Sequence, residues 1–591
     1  VSIRRRAPRR AVPALVAALA LGGCASALPT DPVPQPGLSV EVQPRQDVQR
    51  FLPSPQPGAS PEEIVQGFLR ANVGFADDED VAREYLTSTL ASEWVPTRDV
   101  LVLEGNQTVE EQAPGEVTVT TPVQGRIDEQ GRLTEQPVAP ISRSFELQRV
   151  DGEWRISAFP EGFGLWLSAA DLDRAFRPST VYYLNPHLDL FVPDVRWLAL
   201  GDGLTTSLAR TQLAEVPSHL EGAVRTGGGP DLRLAVGAVP VDPTTQMAVV
   251  NLQGSGLSDD PDRVADLRAQ LGHSLLGLRG VSAVDLRVAG RSLLEDGAVN
   301  LGSELGYEEV VRETEVGLLR IGEELIPVDP TRYDLRNLPA AEVRDLDLPR
   351  VGMSWTGVAA SADLSELAAV SADRSELWRW RDGESEVHAG IGDELTDPSF
   401  DPHGDVWVAG TSRSAQDPRV WVLETGDVST LARPVEVPWL ADGERVETLR
   451  VSPDGTRALL VVRAERGSAR DRVLVAGIVR DSQGRATALA EPWHAAPTLV
   501  EVASARWAST TDLVVAARRT QDQRLAAFTV PLGGWLDSLP DQAGLVDVQA
   551  VPTGQGFVPV ARTEDGRLHT RDGPSVWFGA RNGDELIVPG T

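Results

Sequence analysis

The 591-residue chain carries 55 basic and 86 acidic residues, a formal charge of −31 that becomes −36 once the five arginines of its N-terminal segment are removed. A surface this acidic repels DNA, RNA and anionic lipid headgroups, which excludes nucleic-acid binding and electrostatic attachment to a membrane. No lysine occurs, so P-loop, Schiff-base and Ser-Lys chemistry are excluded too, and the length implies roughly three or four packed domains rather than one core.

The N-terminus opens with Arg4, Arg5, Arg6, Arg9 and Arg10, followed by an apolar stretch from Ala11 to Gly22 that is too short to span a bilayer. It ends in Leu21-Gly22-Gly23-Cys24, which resembles a bacterial lipobox and contains the only cysteine of the chain. Residues 1–23 are therefore expected to be a signal peptide, with the mature protein starting at a lipidated Cys24. Each buried methylene of such an anchor contributes about 0.8 kcal/mol, so several acyl chains together hold a protein firmly. The alternative is ordinary secretion, with cleavage after Ala25-Ser26-Ala27. Either way thiol catalysis, disulfides and thiolate metal sites are not expected, and no later run of apolar residues is long enough for a transmembrane helix. Residues 24–57 follow as the lipidated cysteine and a tether rich in proline, including Pro29, Pro32, Pro34, Pro36, Pro44, Pro53, Pro55 and Pro57.

Residues 58–168 read as an α+β domain. Ser60, Pro61 and Glu63 form a helix start with a capping box, and Ile64, Val65, Phe68 and Leu69 recur at helical spacing. A second helix is predicted from Asp80, with Val81, Tyr85, Leu86 and Leu90 inward. Strand-like runs follow at Val100 to Leu103, Val117 to Val123, Phe145 to Val150 and Trp154 to Ala158, the last two joined by an Asp151-Gly152 turn. Helices followed by an antiparallel sheet resemble the cone-shaped NTF2-like fold, whose interior is expected here to be an empty scaffold.

A compact α/β domain spans 177–294. Its signals are the run VYYLNPHLDLFVPDVRWL from Val181, strands at Leu232 to Val236 and Met247 to Leu252, and a helix capped by Asp260-Pro261 that carries Val264, Leu267, Leu271 and Leu275 on one face. A last strand alternates Val284, Leu286 and Val288. Residues 295–332 read as a connector.

From about Tyr333 helical periodicity disappears, and residues 333–591 read as an all-β propeller of five or six blades. Five paired apolar runs begin at Leu367, Ala458, Leu513, Phe557 and Val406, at the repeat length of propeller blades. Trp378, Trp380, Trp407, Trp421, Trp507 and Trp577 are expected to fill the wedges between them. Closure is expected from the strand around Trp577-Phe578 pairing with a run such as Glu324 to Pro327.

Recognisable site chemistry is sparse. The histidines His187, His219, His273, His388, His403, His494 and His569 are scattered with no His-Glu-x-x-His, so they read as surface or loop residues and no metal is expected. Gly352-Met353-Ser354-Trp355 begins like a nucleophile elbow, but Thr356 stands where a glycine is required. Gly554-Gln555-Gly556 reads as a turn and Gly227-Gly228-Gly229-Pro230 as a flexible connection. Asp77-Asp78-Glu79-Asp80 lacks the spacing of a calcium loop and reads as a solvated helix start. No catalytic residue, cofactor or metal is expected, and Cys24 is the one functional position.

The order of lipobox, tether, α+β unit, VYYLNP domain and propeller is similar, over essentially the whole chain, to the LpqB family of lipoproteins from high-GC Gram-positive bacteria. The middle domain resembles the GerMN domain through Val181 to Pro186, Val192 to Leu198 and Val284 to Val288. The run LPRVGMSWTGVAASADLSELAAV from Leu348 resembles the entry to the family's propeller. This resemblance implies a non-enzymatic accessory on the extracytoplasmic face of the cell membrane that contacts the extracellular part of an MtrB-like sensor histidine kinase. Through that contact it modulates two-component signalling in cell-wall and division control. Two other readings stand beside it. One is an envelope glycan or peptidoglycan binder or hydrolase accessory, which requires a cleft lined by exposed aromatics and converging carboxylates. The other is a structural lipoprotein without a regulatory role.

Overall fold

The computed structural model describes residues 53–590 except 73–79, 202, 255–256, 294–296, 333–334, 339–345, 416, 426–427, 465–469 and 572–575. Cys24 and most of the tether lie outside the described residues, as do Asp77, Asp78 and Glu79.

The first domain is anchored by the helix Pro61–Ala71. The Ser60 hydroxyl accepts from the Glu63 amide at 3.2 Å, and the Glu63 carboxylate accepts from the Ser60 amide at 2.8 Å, which satisfies two otherwise orphaned donors. Its apolar stripe packs on a sheet whose strands lie in the order Glu153–Ala158, Leu133–Val150, Glu116–Ile127, Val100–Leu103 and Leu165–Ser168. All pair antiparallel except the last two, which are parallel. Asp151 and Gly152 both take positive φ, at 52° and 87°, the geometry a two-residue hairpin turn demands. The helix predicted from Asp80 is instead two short ones, Asp80–Arg83 and Ser88–Glu93. The break arises because Thr87 caps the second helix, its hydroxyl accepting from the Leu90 amide, while Leu86 bridges to Ile156 at the sheet. The interior is filled by Phe68, Trp94, Phe145, Phe159, Phe163 and Trp166, with ring centroids 4.6–5.9 Å apart along the cluster.

The middle domain pairs the strands Phe176–Leu184 and Phe191–Ala199 as an antiparallel ribbon. Behind it, Met247–Gln253, the helix Pro261–Leu276 and Ala283–Val288 form a βαβ unit with parallel strands. Asp260 caps that helix by accepting from the Arg263 amide at 3.0 Å. The glycine run expected to be flexible is packed instead. The Gly227 amide donates to Gln270 Oε1 at 2.8 Å, and a β-carbon on Gly227 would stand 2.7 Å from the Leu267 side chain. Here glycine serves close approach to a helix rather than freedom.

The last part is a ring of six sheets. The first four-stranded sheet begins with Trp355–Ala360, and the next four begin with Ser399–Phe400, Glu444–Val451, Glu501–Trp507 and Leu545–Thr553. The five paired runs legible in the sequence are the second and third strands of these five blades. The sixth sheet is composite: Gly317–Ile321 and Glu324–Val328, inside the span read as a connector, are joined by the C-terminal strand Glu585–Ile587. Closure therefore runs through Glu585–Ile587 on Gly317–Ile321. Trp577 belongs to Trp577–Asn582, the outer strand of the fifth blade, which is already paired with Arg567–Arg571. Separate apolar clusters lie between each consecutive pair of sheets, including between the sixth and the first, so the ring is complete.

The three parts meet at a buried polar junction. Asp194 of the middle domain pairs with Arg196 of its own strand at 2.5 Å and lies 3.7 Å from Arg132 of the first domain. On the propeller side Arg457 donates to the Pro193 carbonyl at 3.2 Å, and the Asn185 amide donates to the Asp454 carbonyl at 2.8 Å. Trp197 Nε1 donates to the Gly533 carbonyl at 2.7 Å, and the Leu536 amide donates to Glu135 of the first domain at 2.9 Å.

Candidate functional site: the propeller channel

The inner strands of the six blades surround a central channel. Two adjoining cavities in it, of about 220 and 290 Å³, share Arg374, Asp397, Arg506, Asp547 and Arg562. These side chains come from four blades, Asp547 and Arg562 both from the fifth. Asp397 lies two residues before the Ser399–Phe400 strand, Arg506 lies on Glu501–Trp507, and Asp547 lies on Leu545–Thr553. Arg374 projects from the turn after Glu366–Ser371, and Glu585 from the closing strand. No local sequence motif links them; only the register of the ring does.

Asp397 is the hub. Arg374 donates to its carboxylate, and Arg450 and Arg506 approach it at 3.6 and 4.0 Å. Burial alone would raise its pKa, but the charges of Arg450, Arg374 and Arg506 outweigh that and hold the carboxyl below its ordinary value. Room for this carboxylate depends on Gly357, which has φ +61°; a β-carbon there would stand 2.2 Å from Asp397 Oδ1. Arg320 ties the closing blade to the first, donating to the carbonyls of Trp355 at 2.7 Å and Gly352 at 3.1 Å.

Glu585 behaves oppositely to Asp397. Its burial, reinforced by repulsion from Asp397 and Asp547 and only partly relieved by Arg320 at 3.8 Å, pushes its pKa up to about 8. The group therefore holds its proton at neutral pH in the folded protein and loses it at neutral pH when unfolded. A raised folded pKa contributes stability that is complete below the unfolded value and is lost as pH rises through about 8. Burial also lowers the pKa of His187, His219, His388, His403, His494 and His569, with His219 held at about 3 and His494 at about 4, and these groups work in the other direction, fading as pH rises past their ordinary value of 6.5. They are common to the native chain and to Glu585→Gln, so the difference between the two isolates Glu585. In urea between pH 6.5 and 8 the native chain should lose roughly 1.5 kcal/mol relative to Glu585→Gln; parallel profiles would refute the assignment.

Chemically, this lining is a balanced polar funnel. Among the described residues it contains no histidine, cysteine or aromatic ring, and Ser504 Oγ is occupied in accepting the Val548 amide at 3.1 Å. Carboxylates do converge, but arginines match them, and there is no ring on which a sugar face would stack. In the middle domain, the half-exposed Tyr182, Tyr307 and His273 satisfy one another's surroundings. Tyr182 and His273 both bond Glu309 at 2.9 Å, and Tyr307 bonds Asp266 at 3.2 Å, which fastens the segment around 307–309 to the domain.

Of the positions singled out in the sequence, Cys24 lies outside the described residues. Ser354 sits in an exposed turn leading into the strand Trp355–Ala360, and Gly554-Gln555-Gly556 connects two paired strands. Several histidines depart from the surface reading: His219 is buried at the domain junction, His388 is buried with its Nε2 2.7 Å from the Val428 carbonyl, and His403 and His494 bury their Nε2 atoms. No group of three or more metal-ligating side chains occurs among the described residues, and no helix among them is long and apolar enough to cross a membrane.

Comparison with known proteins locates two domain models on the chain. Residues 54–173 match the N-terminal domain of lipoprotein LpqB, and residues 347–584 match the lipoprotein LpqB beta-propeller domain. Lipoprotein LpqB of Thermobifida fusca is 28% identical, covering 97% of this chain and 97% of its own. That of Streptomyces avermitilis is 28% identical, covering 99% of each. Among solved structures, TolB from Acinetobacter baumannii matches with a TM-score of 0.32 at 17% identity, over 46% of this chain and 66% of that one.

Proposed function

The chain belongs to the LpqB lipoprotein family, and from that premise we propose that it is a non-enzymatic accessory anchored by lipid at Cys24 on the extracytoplasmic face of the membrane. In this reading it binds the extracellular part of an MtrB-like sensor histidine kinase and modulates two-component signalling in cell-wall and division control. The first domain is taken as NTF2-like and the middle one as GerMN-like.

The observation that carries the proposal is the junction of three domains around Asp194. A modulator shifts a partner's equilibrium only by binding one conformation more tightly than the other, and a frame cross-braced by buried ion pairs presents a pre-set surface for that discrimination.

Two measurements test it. The Cys24→Ala chain should appear in the soluble fraction with unchanged melting, and its persistence in the membrane would overturn the anchor. The same soluble chain should bind immobilised kinase ectodomain saturably and change autophosphorylation of the full-length kinase. Absence of binding up to about a millimolar, the weak end of specific recognition, would overturn the partner.

A further inference from the structure

We propose that the propeller channel is a binding site for a small zwitterion, an α-amino acid held through its carboxylate by Arg562 and Arg506 and through its ammonium by Asp547.

Asp547 and Arg562 stand directly opposite each other on neighbouring strands of the fifth blade. Side chains so placed have β-carbons about 5 Å apart, and opposite charges there ordinarily attract. Yet Asp547 Oδ1 is buried without a hydrogen-bond partner, and among the described residues no ion pair or side-chain hydrogen bond engages the Arg562 guanidinium. Arg506 is nearly as idle: it donates to the Ala505 carbonyl at 3.1 Å and reaches Asp397 only at 4.0 Å. By contrast Arg374 and Arg450 are committed to Asp397, and Arg320 to backbone carbonyls. A buried acceptor left unmatched costs about 1–3 kcal/mol, so the cavity lacks a partner that brings both a cationic donor and an anionic acceptor.

The balance of charge selects the ligand class. The first cavity is lined by three arginines and three aspartates, together with Glu585. An anion would meet the aspartates and a cation the arginines; a zwitterion satisfies both. A neutral sugar would find no aromatic platform. At about 30 Å³ of liquid volume per water, the 220 Å³ cavity holds roughly seven waters, room for an amino acid with a small side chain together with a few retained waters. The short reach between ammonium and carboxylate of an α-amino acid also matches two side chains placed face to face across a strand pair.

Titration calorimetry on the mature Cys24→Ala chain decides the matter, with alanine, N-acetylalanine and alaninamide as probes. Alanine should bind with a Kd at or below the millimolar range, and masking either charged end should weaken binding at least tenfold. In Arg562→Gln, alanine and alaninamide should become equivalent; in Asp547→Asn, alanine and N-acetylalanine should. Melting curves establish that each variant is folded, and if one is not, the three probes on the unaltered channel decide alone. No binding of alanine at about ten millimolar, or equal binding of all three probes, overturns the proposal.

Discussion

A chain truncated after Gly583 should fail to form a closed propeller, because the eight residues removed include the strand that joins the last blade to the first. Successive residues of that strand point to opposite faces: Leu586 packs against Val551, Val560 and Leu568 of the fifth blade, while Ile587 packs against Val358, Leu367 and Trp380 of the first. Leu586, Ile587 and Val588 are each buried to within a few per cent of completeness. Full burial of an aliphatic side chain stabilises by about 1.5–3 kcal/mol, so the three together contribute about 5–9 kcal/mol, comparable with the whole stability of an ordinary domain. Backbone pairing adds to this, since the Gly590 amide also donates to the Ala360 carbonyl at 2.8 Å. The expected result is loss of the near-ultraviolet dichroism of the propeller tryptophans and rapid proteolysis between 317 and 328. Leu586→Ala and Ile587→Ala should each cost about 2–5 kcal/mol without opening the ring. A truncated chain that melts like the parent would show that the ring is held shut elsewhere.

The closing strand also marks the boundary between what is legible in the sequence and what is not. Five blades announce themselves because their second and third strands are continuous apolar runs, such as Ala458 to Val462 facing Val473 to Ala476, buried on both faces. The sixth is assembled from segments more than 250 residues apart, and Glu585–Ile587 is too short to stand out among other apolar triplets. Channel residues are harder still. Asp397, Arg506 and Asp547 look like ordinary surface charges, and only the blade register turns them toward one cavity. Local signals are legible at Ser60, Asp260 and the Asp151-Gly152 turn, each of which does in the structure what its neighbours dictate, whereas the Thr87 cap is hidden inside a run of helical periodicity. His219 is not, because its burial depends on packing between domains, and nothing within its own segment records that partner.

Asp194→Ala should be the most damaging single substitution away from the closing strand. Arg196 keeps 2% of its side-chain surface exposed and Arg132 10%, and both rely on the same carboxylate. Removing it leaves two buried guanidinium groups without a counter-charge, a situation that typically costs 3–5 kcal/mol, far more than the pair contributes beyond a hydrophobic replacement. The loss should be structural as well as energetic, since Arg132 belongs to the first domain, Asp194 to the middle one, and Arg457, which also favours the carboxylate, to the propeller. Burial would raise the pKa of Asp194, but Arg196 and Arg132 hold it below its ordinary value, so its contribution is present above pH 3.8 and disappears as pH falls through the lowered folded value. Asp194→Asn retains an acceptor but not the charge and should fall between the parent and alanine. In urea, tryptophan fluorescence and far-ultraviolet dichroism should unfold together in the parent and separate in Asp194→Ala as the domains lose their common brace. Coincident transitions with a change below about 1 kcal/mol would mean that the junction is held by packing around Trp197 and Trp535 rather than by its charges.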